Sequence, residues 1–264
     1  MKRIAAILIG VSSLAFAQSP RIVAHRGASH DAPENTLPSF KLAWEQGANA
    51  IEGDFHLTSD GHIICIHDYD TRRVTGKKIS VKDSTFDALR KLDAGSWFDA
   101  RFKGTPLPEF AEVAATVPAS GQFYIEVKCG PEILPTLLGE IQKSGLKNDQ
   151  VVIISFNAPV IRELKKTTSK FKAFWLSSFE KGNPLQPSSQ QVLDTLADIH
   201  ADGLSSKADP RVDAAFLKPL FQKNLGYHCW TVDDPKVAER FLELGAQSIT
   251  TNRPGWLRQQ LNAR

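Results

Sequence analysis

Chemistry-bearing side chains gather in three short stretches. Residues 51–68, IEGDFHLTSDGHIICIHD, carry Glu52 and Asp54 before an Asp60-Gly61 pair and His67 after it. Residues 123–128, FYIEVK, carry Glu126 and Lys128, and AHRG at 24–27 carries His25 and Arg26. In a strand, alternate residues share a face, so Glu52 and Asp54 point together while Ile51, Gly53 and Phe55 point away. By the same rule Tyr124, Glu126 and Lys128 lie opposite Phe123, Ile125 and Val127. The apolar faces suit helices, which leaves the acids facing one polar interior. Carboxylates so confined repel one another unless positive charge separates them. A single hard divalent cation on oxygen ligands supplies it, Ca²⁺ or Mg²⁺, with Mn²⁺ also acceptable. The other arrangement is a salt-bridge network with Lys128 and Arg26. One Lys and one Arg leave a negative charge in a confined site, which favours a metal on Glu52, Asp54 and Glu126.

The remaining groups suit a phosphate ester. The planar fork of Arg26 matches phosphate oxygens, and Lys128 adds a point charge. His25 and His67 can divide proton transfer, one taking a proton from an attacking hydroxyl and the other giving one to a departing alkoxide. His30, His62, His200 and His228 have no such company. His56 shares the face of Glu52 and Asp54 but sits higher on the hairpin, which makes it a weak candidate.

These side chains need strands to hold them. Strand-like runs occur at 21–25, 50–55, 123–127, 151–155, 172–176, 201–205, 226–232 and 247–250, and helix-length segments such as PEILPTLLGEIQKSG and PKVAERFLELG separate most of them. Strict alternation argues for a parallel sheet, and eight units of this total length argue for a closed (β/α)8 TIM barrel, with a doubly wound open sheet as the alternative. Enzymes of that architecture build their sites at the C-terminal ends of the strands, where these groups fall. Asp60-Gly61 reads as a hairpin turn. It would set Asp54 opposite His67 and make HIICIHD an antiparallel arm on the rim. Residues from about 69 to 105 break the rhythm and read as a small insertion after the second barrel strand.

Composition narrows the class. At 42 % hydrophobic and 23 % charged over 264 residues, the chain has enough apolar side chains for one large core and little case for disorder. The net charge of +3 is spread along the chain, which argues against nucleic acid as a partner. Residues 1–17, MKRIAAILIGVSSLAFA, have a basic start, a short apolar stretch and an Ala-Phe-Ala end. They read as a cleavable secretory signal ahead of one catalytic domain at 18–264, and place the protein in the periplasm or the medium. An uncleaved anchor is the other reading of that segment, and no other segment is long and apolar enough to insert in a membrane. Cys65, Cys129 and Cys229 are odd in number and lack a CxxC pair, so they read as buried free thiols.

The motifs HRGASHDAPENT, IEGDFHLTSDGHIICIHD, PLPEF, YIEVK, ISFN, HCWTVDD and SITTNRP, in this order, resemble the glycerophosphodiester phosphodiesterase family. The likeness runs from about residue 22 to 254. It implies a (β/α)8 barrel with a small insertion, and metal-dependent hydrolysis of a small glycerophosphodiester to glycerol 3-phosphate and an alcohol. By resemblance His25 and His67 are the acid and base, and Glu52, Asp54 and Glu126 the metal ligands. Arg26 and Lys128 fall on phosphate-contacting positions, Phe156 and Trp230 on the substrate cleft, and Glu34, Asn35 and Thr36 on a run that shapes the loop into the first helix. Trp230 is equally suited to core packing. Attack by the substrate's own glycerol 2-hydroxyl would gain from proximity and give a cyclic phosphate that water then opens.

The chain departs from the family pattern at two places. Asn252 stands where the family has Asp in Thr-Asp-x-Pro, and Asp233 where it has Asn. Both lie outside the metal and histidine set and bear on substrate preference. Two rivals use the same residues: a lysophospholipase D with Trp97, Phe98 and Phe102 as an apolar patch, and a secreted binding protein for a phosphorylated ligand. The oligomeric state is left open.

Overall fold

The computed structural model describes residues 21–263, so the expected signal segment lies outside the described residues. The strands are β1 (Arg21–His25), β2 (Ala50–Leu57), β3 (Ile63–Cys65), β4 (Gln122–Val127), β5 (Val151–Ser155), β6 (Lys172–Ser177), β7 (Gly203–Lys207), β8 (Gly226–Trp230) and β9 (Ser248–Thr251). The parallel order β1-β9-β8-β7-β6-β5-β4-β2 is closed by a β1–β2 pairing, which makes an eight-stranded barrel with β3 antiparallel on β2. The closed pairing excludes the open doubly wound sheet.

The helices are α1 (Leu37–Glu45), α2 (Arg72–Thr75), α3 (Phe86–Arg90), α4 (Phe110–Ala114), α5 (Leu134–Ser144), α6 (Ala158–Thr167), α7 (Ser189–Asp198), α8 (Ala214–Gln222), α9 (Pro235–Glu243) and α10 (Pro254–Asn262). Their ends are written in the sequence. Ser188, Asp213 and Asp234 accept hydrogen bonds from the exposed first-turn N–H groups of α7, α8 and α9. Gly145 closes α5 at φ 72, a left-handed position that suits glycine. None of these helices is long and apolar enough to cross a membrane.

Strand alternation sorts the core into two layers. Ile51, Phe55, Phe123, Ile125 and Val127 point outward into the packing with the helices, where Phe55 meets Phe110 at 5.4 Å and Phe123 at 5.6 Å between ring centroids. Val23, Ala50, Tyr124, Val152, Ile154, Phe174 and Leu176 form a separate apolar plug. Ala50 and Tyr124 share the strand faces of Glu52, Asp54 and Glu126, so the plug fills the barrel below the acids.

The hairpin differs by one residue from the expected register. Phe55 pairs with Cys65, His56 with Ile64 and Leu57 with Ile63, and the Ile66 N–H donates to the Asp54 carbonyl at 2.9 Å. Asp54 therefore faces Ile66, not His67. The loop holds three residues, because the Thr58 N–H donates to the His62 carbonyl at 2.9 Å and Gly61 takes φ 84. The Thr58 hydroxyl holds the loop by donating to Asp60 Oδ1 at 2.6 Å and accepting from the His62 N–H at 3.0 Å. A slip of one residue would reverse every side chain along a regular ladder. Here β3 ends at Cys65, and beyond Ile66 the chain turns His67 back toward the acids.

Between β3 and β4 the chain builds a satellite core of Ile64, Ile66, Val74, Val81, Leu89, Leu92, Ala94 and Leu107. Phe98 packs edge to face on both Trp97 and Phe102, and none of the three lines the cleft described below. All three cysteines are free; Cys65 and Cys229 are buried, whereas Cys129, past the end of β4, is only half-buried.

Candidate active site

The barrel register sets the acids side by side. His25 pairs with Glu52 across β1 and β2, and Asp54 pairs with Glu126 across β2 and β4. One oxygen from each of Glu52, Asp54 and Glu126 lies within 4.8 Å of the others, and all three side chains are buried. Lys128 Nζ lies 2.6 Å from Glu126 Oε1 and 3.4 Å from Asp54 Oδ1, and Arg26 Nε lies 3.1 Å from Asp54 Oδ2. The salt-bridge network weighed from the sequence is therefore present. It is incomplete, because buried Glu52 Oε1 and Asp54 Oδ1 accept no hydrogen bond. Two open carboxylate oxygens beside a third acid are a donor set of the kind a hard divalent cation takes.

The charge balance follows from burial. Burial, with the Asp54 and Glu126 charges beside it, pushes Glu52 well above the usual carboxylate range. Burial and the Asp54 charge push Glu126 up to about 7. Asp54 is equally buried, but Arg26, Lys128, His67 and a hydrogen bond from Asn35 outweigh that cost and hold it low. The cluster thus keeps protons near neutrality that a cation would displace.

The loop after β1 is tightly specified. Arg26 at φ 57 and Gly27 at φ 81 reverse the chain, so the Arg26 N–H donates to Glu52 Oε2 at 2.9 Å while its guanidinium returns over Asp54. A β-carbon on Gly27 would fall 2.4 Å from Ser39 Oγ, so glycine is required there. Glu34 bridges Arg26 at 2.9 Å and Arg73 at 2.7 Å. Asn35 donates to Asp54 Oδ2 at 2.8 Å and accepts from the Asp54 N–H at 3.2 Å.

The two histidines open on one cleft of about 130 Å³ with Arg26, Glu52, Glu126, Lys128, Phe156 and Trp230. Eight of the nine residues singled out from the sequence line it, and the ninth, Asp54, meets them through its ion pairs. Burial and the neighbouring Arg26 charge lower His25 to about 4, so its imidazole is neutral. His67 Nδ1 lies 2.7 Å from Asp68 Oδ1, and Asp68 is held by Arg73 at 2.8 Å. Phe156 is 45 % exposed at the rim and meets Trp230 edge-on at 5.5 Å. Trp230 packs on the apolar plug and also borders the cleft. His56 is buried, with Nε2 3.2 Å from the His67 carbonyl, and lines a neighbouring pocket with Tyr69.

The sequence profile of the Glycerophosphoryl diester phosphodiesterase family matches residues 25–256. The chain is 31 % identical over 238 residues to a glycerophosphodiester phosphodiesterase of Caldanaerobacter subterraneus subsp. tengcongensis, covering 88 % of this chain and 94 % of that protein. It belongs to this family. Like the relatives that define the family, it is an enzyme, a phosphodiesterase. The barrel superposes with a TM-score of 0.81 on an Oleispira antarctica phosphodiesterase solved with its product sn-glycerol-3-phosphate, at 22 % identity over 92 % of this chain and 97 % of that one, a likeness of fold. A glycerophosphodiester phosphodiesterase from Agrobacterium tumefaciens gives a TM-score of 0.76 at 25 % identity, over 91 % of this chain and all of that one.

Three contacts of this phosphodiesterase go beyond the roles its sequence suggests. The resemblance implies only loop shaping for Asn35 and Glu34, yet they hold Asp54 and Arg26 directly. Asn252 lies outside the histidine set in the family pattern, yet its Oδ1 lies 2.7 Å from His25 Nδ1. The available signal was the exchange of Asp and Asn between positions 233 and 252, which are joined at 2.8 Å.

Proposed function

We propose that this enzyme hydrolyses glycerophosphodiesters to sn-glycerol 3-phosphate and a free alcohol, using His25 and His67 for proton transfer. The observation that carries the proposal is the single cleft in which both histidines, Arg26 and Lys128 border the buried Glu52 and Glu126, with Asp54 behind them. Glu52, Asp54 and Glu126 would hold one divalent cation, Ca²⁺ or Mg²⁺ or Mn²⁺, which when bound supplies positive charge against the phosphate oxygens. Arg26 and Lys128 bind the phosphodiester anion and offset charge that builds in the transition state. One histidine takes the proton of the attacking hydroxyl and the other returns one to the departing alcohol. When the attacking group is the substrate's glycerol 2-hydroxyl, the phosphorus gains that oxygen and loses the alcohol, and water opens the cyclic phosphate in a second turn of the same pair. Phe156 and Trp230 wall the cleft beside the phosphate. The proposal includes export, supported by the basic start, apolar stretch and Ala-Phe-Ala end of residues 1–17.

The test uses purified chain beginning at Gln18, stripped of metal and given glycerophosphocholine with and without Ca²⁺ or Mg²⁺. Glycerol 3-phosphate released only with added cation supports the reading. Substituting His25→Ala or His67→Ala should lower turnover by about 10²- to 10⁴-fold in a folded protein. Wild-type turnover in either variant would sink the histidine assignment. Turnover of lysophosphatidylcholine but not of glycerophosphocholine would replace the substrate class.

A further inference from the structure

Behind His25 lies a chain of hydrogen bonds whose direction is fixed at its far end. Asp233, just past β8, accepts at Oδ1 from the Thr251 hydroxyl at 2.7 Å and the Asn252 N–H at 2.8 Å. At Oδ2 it accepts from Asn252 Nδ2 at 2.8 Å. A carboxylate so placed can only accept, so the Asn252 side chain must turn its amide nitrogen toward Asp233. Asn252 Oδ1 is thereby turned the other way, where it accepts from the Ser29 hydroxyl at 3.1 Å and lies 2.7 Å from His25 Nδ1. An amide oxygen has no proton to give, so the proton between them sits on Nδ1, and the neutral ring carries its lone pair on Nε2.

We infer that Asp233 and Asn252 are positioning residues that lock His25 in its Nδ1–H tautomer and so make its Nε2 a proton acceptor. The inference rests on the reading of His25 as a proton-transfer group. Asp233 touches no reacting atom; it acts by denying the Asn252 amide its flipped orientation, in which Nδ2 would force the proton of His25 onto Nε2. Ser29 supports the same orientation from β1's following loop but cannot enforce it, because a hydroxyl both donates and accepts.

The test is a cycle of substitutions in the metal-loaded mature chain. In Asp233→Asn the new amide must keep its oxygen on the Asn252 N–H, which can only donate, so its nitrogen faces the Asn252 side chain and favours the flipped orientation, and the lock is lost. We expect kcat on glycerophosphocholine to fall about 10- to 100-fold while KM stays within about twofold. The reciprocal pair Asp233→Asn with Asn252→Asp moves the carboxylate beside His25 and the amide behind it, so every hydrogen bond keeps a donor and an acceptor. That pair should regain kcat to within about fivefold of the parent, which a loop merely loosened by each change would not do. Nitrogen-15 spectra of labelled histidine read the tautomer without turnover. The His25 signals should report Nδ1–H in the parent and the reciprocal pair, and a shift to Nε2–H in Asp233→Asn. Parental kcat in Asp233→Asn, or a reciprocal pair no faster than the single variant, overturns the inference. An Nδ1–H tautomer in the parent together with full activity in His25→Ala would instead overturn the role of His25 and leave the lock standing.

Discussion

Acidification should loosen a cation at the three carboxylates, by an amount set by how many protons the cluster holds without it. Burial and the charge of Asp54 push Glu126 up to about 7, and burial with both neighbouring acids raises Glu52 in the same direction. Each proton that a cation must displace changes the apparent affinity about tenfold per pH unit below the relevant pKa. Moving from about pH 8 to about pH 6 crosses the Glu126 value and should weaken binding about tenfold from that group alone, with Glu52 steepening the fall. The stability of the metal-free protein runs the opposite way. These folded-state values lie above the unfolded ones, so their contribution is fully present below the ordinary carboxyl range and is lost as pH rises through about 7 for Glu126. Stabilisation by added cation should therefore grow with pH. Calorimetric titration with Ca²⁺ and Mg²⁺ at three pH values, at fixed ionic strength, reads the affinity, and melting curves read the stability. Glu126→Gln keeps the shape but not the proton, so it should bind more weakly and with a slope lower by one proton. Dissociation constants equal within about twofold at the two ends would refute the reasoning.

Three substitutions test the parts that hold the site. Gly27→Ala drives a β-carbon into Ser39 at φ 81 and should cost about 3 kcal/mol or more, read as a lower urea midpoint; an unchanged midpoint would mean the turn is not strained by a side chain. Asn35→Ala removes both side-chain contacts to Asp54 and should weaken cation binding about tenfold in a folded protein, with unchanged affinity counting against the contact. Phe55→Ala empties a fully buried site between Phe110 and Phe123 and should cost about 3 to 5 kcal/mol in chemical denaturation, while a loss below about 1 kcal/mol would show that the cluster collapses to fill it.

The barrel was legible because each strand must satisfy two environments at once. In 50–55 Ala50, Glu52 and Asp54 alternate with Ile51, Gly53 and Phe55, and in 123–127 Tyr124 and Glu126 alternate with Phe123, Ile125 and Val127, an alternation met where one face meets helices and the other a narrow interior. The same rule found Glu52, Asp54 and Glu126 without reference to a partner strand, because face is a local property of a strand. Register is not local. The hairpin was misplaced by one residue because Asp60-Gly61 fits either a two-residue or a three-residue loop, and the choice is made by the Thr58 hydroxyl, whose partners cannot be read from spacing.

The contacts beyond reach of the sequence are those made by loops to strands. Asn35 reaches Asp54 across 19 positions and Asn252 reaches His25 across 227, each from a residue in irregular backbone where no periodicity applies. What the sequence did contain was a compensated exchange: one carboxylate and one amide at 233 and 252, each where the family pattern has the other. Either departure alone would set two carboxylates or two amides side by side behind His25, whereas the exchange keeps one of each and leaves every group paired. Paired departures at distant positions therefore carry structural information that either residue alone does not, and here they lead to the histidine.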